Sequence, residues 1–171
     1  MIMRRKNCHG QATIEMALAL VVAIVPLTIA LLAFAEIAWT YHALTTLTRL
    51  GAQYAATHCF QDDSGSNVTN WMIANAPAFP DRPKLLTGEI PILVQYWTND
   101  SKNHLTTAFS CGGDACSAQC VPDSVTVSIN GYFFNHFLPY FGFAPLQVPS
   151  FSTTVEMQST GANPDTGVSL P

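Results

Sequence analysis

Between Met16 and Ala35 only Pro26 and Thr28 interrupt a run of apolar side chains twenty residues long. At about 1.5 Å of rise per residue, such a run crosses the ~30 Å hydrocarbon layer of a bilayer as a helix. In a chain of 171 residues this feature limits everything else, because what remains is enough for one modest domain. A secretory signal is the competing reading, since Ala33-Phe34-Ala35 offers an A-x-A site before Glu36. The run is longer than the usual ~7–15 residue h-region, and Glu15 stands where that region would be uninterrupted.

Charge orients the span. Arg4, Arg5 and Lys6 precede it, whereas beyond Gly10 four basic side chains stand against eleven acidic ones. Basic residues flanking a span stay on the cytoplasmic side, so the acidic bulk is expected outside. The absence of a basic patch and the apolar, charge-poor composition argue against a nucleic-acid-binding or disordered protein.

Helical periodicity continues past the span. Ile37, Tyr41, Leu44, Leu47, Leu50 and Tyr54 recur at steps of three or four, with Thr45, Thr48, Arg49 and Gln53 between them. One helix is therefore expected over 11–60, with its transmembrane segment at about 16–36 and a kink rather than a stop at Pro26. The stretch QDDSGSN ends it with loop residues. A short helix is expected in NVTNWMIANA, and PAFPDRP reads as a connector.

Strands are expected at 89–97 (EIPILVQYW), 104–111 (HLTTAFSC), 124–133 (SVTVSINGYF) and 151–159 (FSTTVEMQS), the first two joined through TNDSKN as a hairpin. The fold class is thus α+β: a long N-terminal helix followed by a small antiparallel β-domain over 61–160, with a tail at 161–171. The segment 132–146 holds seven aromatics in fifteen positions, to be buried as core or used as an assembly surface.

Five cysteines become four if the chain is cut after Gly10, which removes Cys8. Cys59, Cys111, Cys116 and Cys120 then suggest two disulfides, with three possible pairings. A bridge from Cys59 to the 111–120 cluster would clip the end of the helix to the β-domain. A zinc site drawing on His104 or His136 is the alternative, but the C-x4-C-x3-C spacing matches no common zinc ribbon. No metal or other cofactor is expected.

No catalytic constellation stands out. Ser110 and the histidines at 42, 58, 104 and 136 lack a recognisable nucleophile–base spacing, and no phosphate-binding loop is present. Gly112 to Asp114 reads as a turn, and Asn67 and Asn99 fit the short N-glycosylation pattern. A non-enzymatic protein without a small-molecule substrate is expected.

Glu15 is the anomaly. A carboxylate in mid-bilayer costs about 2.5–3.5 kcal/mol on insertion scales, less near the interface. A cut between Gly10 and Gln11 would create an α-amino group, largely cationic at neutral pH, four residues upstream. Glu15 could pair with that amine in its own chain or a neighbour, which would fix the register of packed helices.

On these residues the chain resembles the TadE-like family, the minor pilins or pseudopilins of the Tad/Flp branch of type IV pilus machinery. The likeness is carried by RRKNCHGQATIEMALAL, by AEIAWTYHALTTLTRLGAQYAA and by the β-rich part that follows. It is specific over roughly the first sixty residues and holds only in outline beyond them. Met16 departs from it, because an aromatic commonly follows the glutamate in these proteins. The resemblance implies residues 1–10 as a leader, cleavage by a prepilin peptidase between Gly10 and Gln11, and Glu15 as the assembly carboxylate. It also implies an inner-membrane protein with its C-terminal domain in the periplasm, partnered by other pilin subunits in pilus assembly or adhesion. Two other readings differ in processing: an uncleaved, single-pass, membrane-anchored adhesin or binding module, and a secreted enzyme released after Ala35.

Overall fold

The computed structural model describes residues 9–60, 65–100, 105–111, 116, 120–136, 138–142 and 144–157. Residues 1–8 of the expected leader, His104, the expected turn at 112–114 and the expected tail at 161–171 fall outside these. As expected, the fold is α+β, a long N-terminal helix followed by a small antiparallel sheet. The chain divides into two compact units, Met1–Ala38 and Trp39–Pro171.

In the first unit the described residues form one helix, the beginning of α1 (His9–Thr57). Its apolar side chains face outward, with Ile14 71% and Phe34 70% exposed. This helix is long and apolar enough to cross a membrane. Pro26 lies inside it, where the missing N–H leaves one carbonyl without its intrahelical partner. Near that point the Thr28 hydroxyl donates to the Ile24 carbonyl at 2.8 Å.

The second unit begins with the rest of α1 and continues through α2 (Ser66–Ala74), α3 (Arg82–Leu86), β1 (Ile92–Asp100), β2 (Leu105–Ala108), β3 (Ser124–Ile129), β4 (Phe133–Phe134), a 3-10 turn (Leu138–Phe141), β5 (Leu146–Gln147) and β6 (Phe151–Glu156). Strands run in the order β2-β1-β3-β6, each pair antiparallel, and β4 and β5 form a separate two-stranded ribbon. Registers such as Val94↔Val127 and Val127↔Thr153 carry one face across the sheet. Because side chains alternate along a strand, Val94, Tyr96, Val125, Val127, Ile129 and Phe151 share that face, and all are buried. On the opposite face Trp97 donates from Nε1 to the Thr126 hydroxyl at 2.9 Å, and Thr126 bonds Thr154 at 2.8 Å.

The α1 stripe that covers the sheet comprises Thr40, Ala43, Leu44, Leu47, Thr48, Gly51, Ala52, Ala55 and Ala56, spaced at three and four. Leu44 and Leu47 belong to it as the periodicity suggests, but Tyr41 and Leu50 lie outside it and are exposed. Small residues line the contact so that neighbouring elements can approach closely. A Cβ at Gly51 would come within 2.8 Å of the buried Met72 Cγ on α2. Tyr41 still packs against Phe151 of β6, its ring tilted at 60° with centroids 4.9 Å apart.

Several elements differ from the sequence reading, among them β2, which ends at Ala108 and not at Cys111, and the β4–β5 ribbon, which was not expected. PAFPDRP contains the start of α3, with Asp81 at its N-cap and Pro83 just inside, an arrangement that favours a helix start. β1 continues through Thr98 and Asn99 to pair Asp100 with Leu105. β3 ends at Ile129, because Gly131 adopts φ 69° and turns the chain into β4.

Candidate functional site

Gly10 and Gln11 occupy the first turn of α1. Glu15 follows on the same helix in an exposed position among Ile14, Met16 and Leu18, which are more than half exposed. The residues that define the proposed processing and pairing site are thus all carried by one helix.

The cysteines pair as Cys59–Cys116 and Cys111–Cys120, with Cα–Cα separations of 4.9 and 5.7 Å. Both separations lie within the range disulfides adopt. Cys59 lies just beyond α1, and its bridge ties the helix end to the segment between β2 and β3. The Cys116 N–H donates to the Phe60 carbonyl at 2.9 Å, and Phe60 packs edge-on against Tyr96 and Phe109. Pairing commits all four sulfurs, which leaves no thiolate at these positions for a zinc ion.

Sequence reasoning missed a polar cluster around Asp81. This carboxylate is buried, its residue 3% exposed, and it accepts from Tyr132 Oη at 2.5 Å, His136 Nε2 at 2.6 Å and Lys84 Nζ at 2.9 Å. Burial pushes its pKa up, but hydrogen bonds from Lys84, Tyr132 and His136, with the His136 charge, outweigh that and hold it below the ordinary 3.8. The cluster joins the start of α3 to β4 and the residues flanking it. Lys84 was recoverable from its position three residues after Asp81, but Tyr132 and His136 lie 51 and 55 residues away. No local spacing rule links residues that distant.

A carboxylate with a depressed folded pKa stabilises the fold above its unfolded pKa, and that contribution is lost as pH falls through the folded value. Stability of the second unit is therefore expected to drop on acidification below about pH 4, where the unfolded carboxylate begins to protonate. Asp81→Asn should lower stability at neutral pH by about 2 kcal/mol, the scale of hydrogen bonds to a charged group. It should also flatten the acid limb of a denaturation profile measured by circular dichroism. An unchanged acid limb in the variant would assign the pH dependence to other carboxylates.

Beside this cluster is a cleft of about 210 Å³. Lys84, Glu89 and Ile90 form one side, and Tyr132, Phe133 and Asn135 the other, with Gly131 at its edge. Lys84 Nζ also donates to Asn135 Oδ1 across it at 3.2 Å. His58, by contrast, donates from Nδ1 to the Tyr54 carbonyl at 2.7 Å and stacks on the Tyr54 ring, as a helix-end histidine does. Of the two glycosylation patterns, Asn67 has its amide nitrogen and oxygen buried and out of an enzyme's reach, whereas Asn99 is exposed.

Comparison with known proteins gives no match, whether to family models, to curated proteins or to solved structures.

Proposed function

We propose that this chain is a non-enzymatic, membrane-anchored assembly subunit of the TadE-like kind, processed after Gly10 and working in the biogenesis or adhesion of a Tad/Flp pilus. The observation that carries this reading is the coincidence of an outward-facing apolar helix with a single carboxylate near its start. A soluble domain would bury such a helix, and a simple anchor has no use for Glu15. Two disulfides are compatible with a second unit that matures in an oxidising compartment such as the periplasm. Packed side by side in a membrane, helices of this kind would match each Glu15 to the new amine of Gln11 in the same or an adjacent subunit, with prepilin peptidase and fellow pilins as partners.

Processing and assembly can be tested separately. In cells with a prepilin peptidase the mature chain should begin at Gln11, as read by intact mass, and in cells without it the leader should remain. Glu15→Ala should leave the level of processed protein unchanged while sharply reducing its recovery in pili or in crosslinked assemblies. An uncut chain in both strains would instead favour a lone anchored module, and a mature start at Glu36 would favour a secreted domain. Normal assembly by Glu15→Ala would remove the pairing role.

A further inference from the structure

We infer that the cleft between α3 and β4 is a binding site for a single neutral pyranose ring, free or at the end of a glycan chain. This rests on the cleft alone and is independent of the assembly role.

Two of its walls are fixed from behind by one buried group. Asp81 holds Lys84 Nζ at 2.9 Å and Tyr132 Oη at 2.5 Å, so both side chains are positioned before any ligand arrives. The Lys84 side is fixed further, since Glu89 accepts from the Thr87 hydroxyl at 3.3 Å and its N–H donates to the Lys84 carbonyl at 3.0 Å. Ile90, buried, supplies an apolar surface between them. Gly131 leaves the mouth open, for a Cβ there would meet nothing within 4 Å.

The lining narrows the ligand class. A free anion is disfavoured, because the Lys84 charge is already matched by Asp81 and Glu89 adds a negative charge at the rim. An amine is disfavoured by the Lys84 ammonium itself. A purely apolar ligand would strand the Lys84, Asn135 and Glu89 polar groups without water. What remains is a neutral molecule that offers hydroxyl donors and acceptors at its edge and a C–H face to an aromatic ring. Phe133 supplies that ring, 49% exposed on β4 although its neighbours Tyr132 and Phe134 are buried. Lys84 donates, Glu89 accepts, and Asn135 can do both. The volume of about 210 Å³ is below the ~300–1,000 Å³ of pockets for drug-sized ligands and has room for one ring.

The test uses the full chain in phosphocholine micelles, whose head group carries no sugar. Methyl glycosides of glucose, galactose, mannose and N-acetylglucosamine are presented singly at about 10 mM, in the range of weak single-ring affinities, and read by saturation-transfer NMR. At least one should show saturable transfer, strongest on the C–H protons of one ring face. Phe133→Ala and Asn135→Ala, both at exposed positions, should each reduce that signal by about fivefold or more, a loss on the scale of one stacking or hydrogen-bond contact. Val121→Ala, exposed in the segment that leads into the start of β3, should leave it unchanged. A bound methyl glycoside displaced equally well by its free sugar would mark a free-sugar site, and weaker displacement would mark a chain end. No saturable transfer from any of the four, or transfer indifferent to Phe133→Ala, would overturn the inference. Binding of methylamine or acetate in their place would overturn it as well.

Discussion

Serine at both Cys59 and Cys116 should cost the folded second unit about 4 kcal/mol, whereas serine at both Cys111 and Cys120 should cost about 2.5. The difference follows from loop length, because a cross-link removes more freedom from the unfolded chain when it closes a longer loop. The first bridge joins residues 57 apart and the second joins residues 9 apart. Against a typical domain stability of about 5–15 kcal/mol, the larger loss is enough to leave a substantial unfolded population. Urea denaturation of the two double variants, each compared with the parent chain, would measure both losses. Equal losses would show that the bridges act through contacts in the folded state, such as the Phe60 aromatic cluster, and not through loop closure.

Gly65→Ala should be nearly as damaging, with a loss of about 3 kcal/mol. Gly65 adopts φ 72° as it enters α2, a left-handed conformation that costs an L-residue roughly 1–2 kcal/mol. A Cβ there would also come within 2.6 Å of the Val94 Cβ, on a strand side chain that is itself buried. Val94 cannot swing away, so overpacking adds about 1–3 kcal/mol. The paired variant Gly65→Ala/Val94→Gly separates the two causes, because it removes the Val94 Cβ as well as its methyls. Relief of the clash should make the Gly65 substitution cheaper in the Val94→Gly background than in the parent, and strict additivity in thermal unfolding would leave backbone strain as the whole effect.

What could be read in the sequence was what repeats over short distances. The apolar run at 16–35 shows by its length, the continuation of the helix by a 3.6 period, β3 and β6 by alternation, and β1 and β2 by their apolar and β-branched content between turn residues, and the structure has each of them. The α1 contact stripe was harder, because Ala, Gly and Thr carry little hydropathy even though their small size lets α2 come close. α3 was hidden by the prolines around it, although Asp81 followed by Pro83 is a start signal. The aromatic segment proved to be divided, with Tyr132 and Phe134 buried and Phe133 exposed, and period-2 alternation around one turn decides which. The Asp81 cluster and the choice among three disulfide pairings were not legible. Both depend on chain segments brought together by the sheet, across separations of up to 57 residues.

The strand order has a consequence for how the molecule is made. Among the described residues β6 is the last strand, yet it lies against β3, and Phe151 and Thr153 reach Tyr41 and Thr48 near the start of the second unit. A chain cut short before Phe151 therefore has β3 as a bare edge and lacks the Phe151 and Thr153 contacts to the helix. Such edges and surfaces attract proteases and other chains. Synthesis of β6 and closure of the core are thus one event, and a chain cut short before Phe151 announces itself by remaining open.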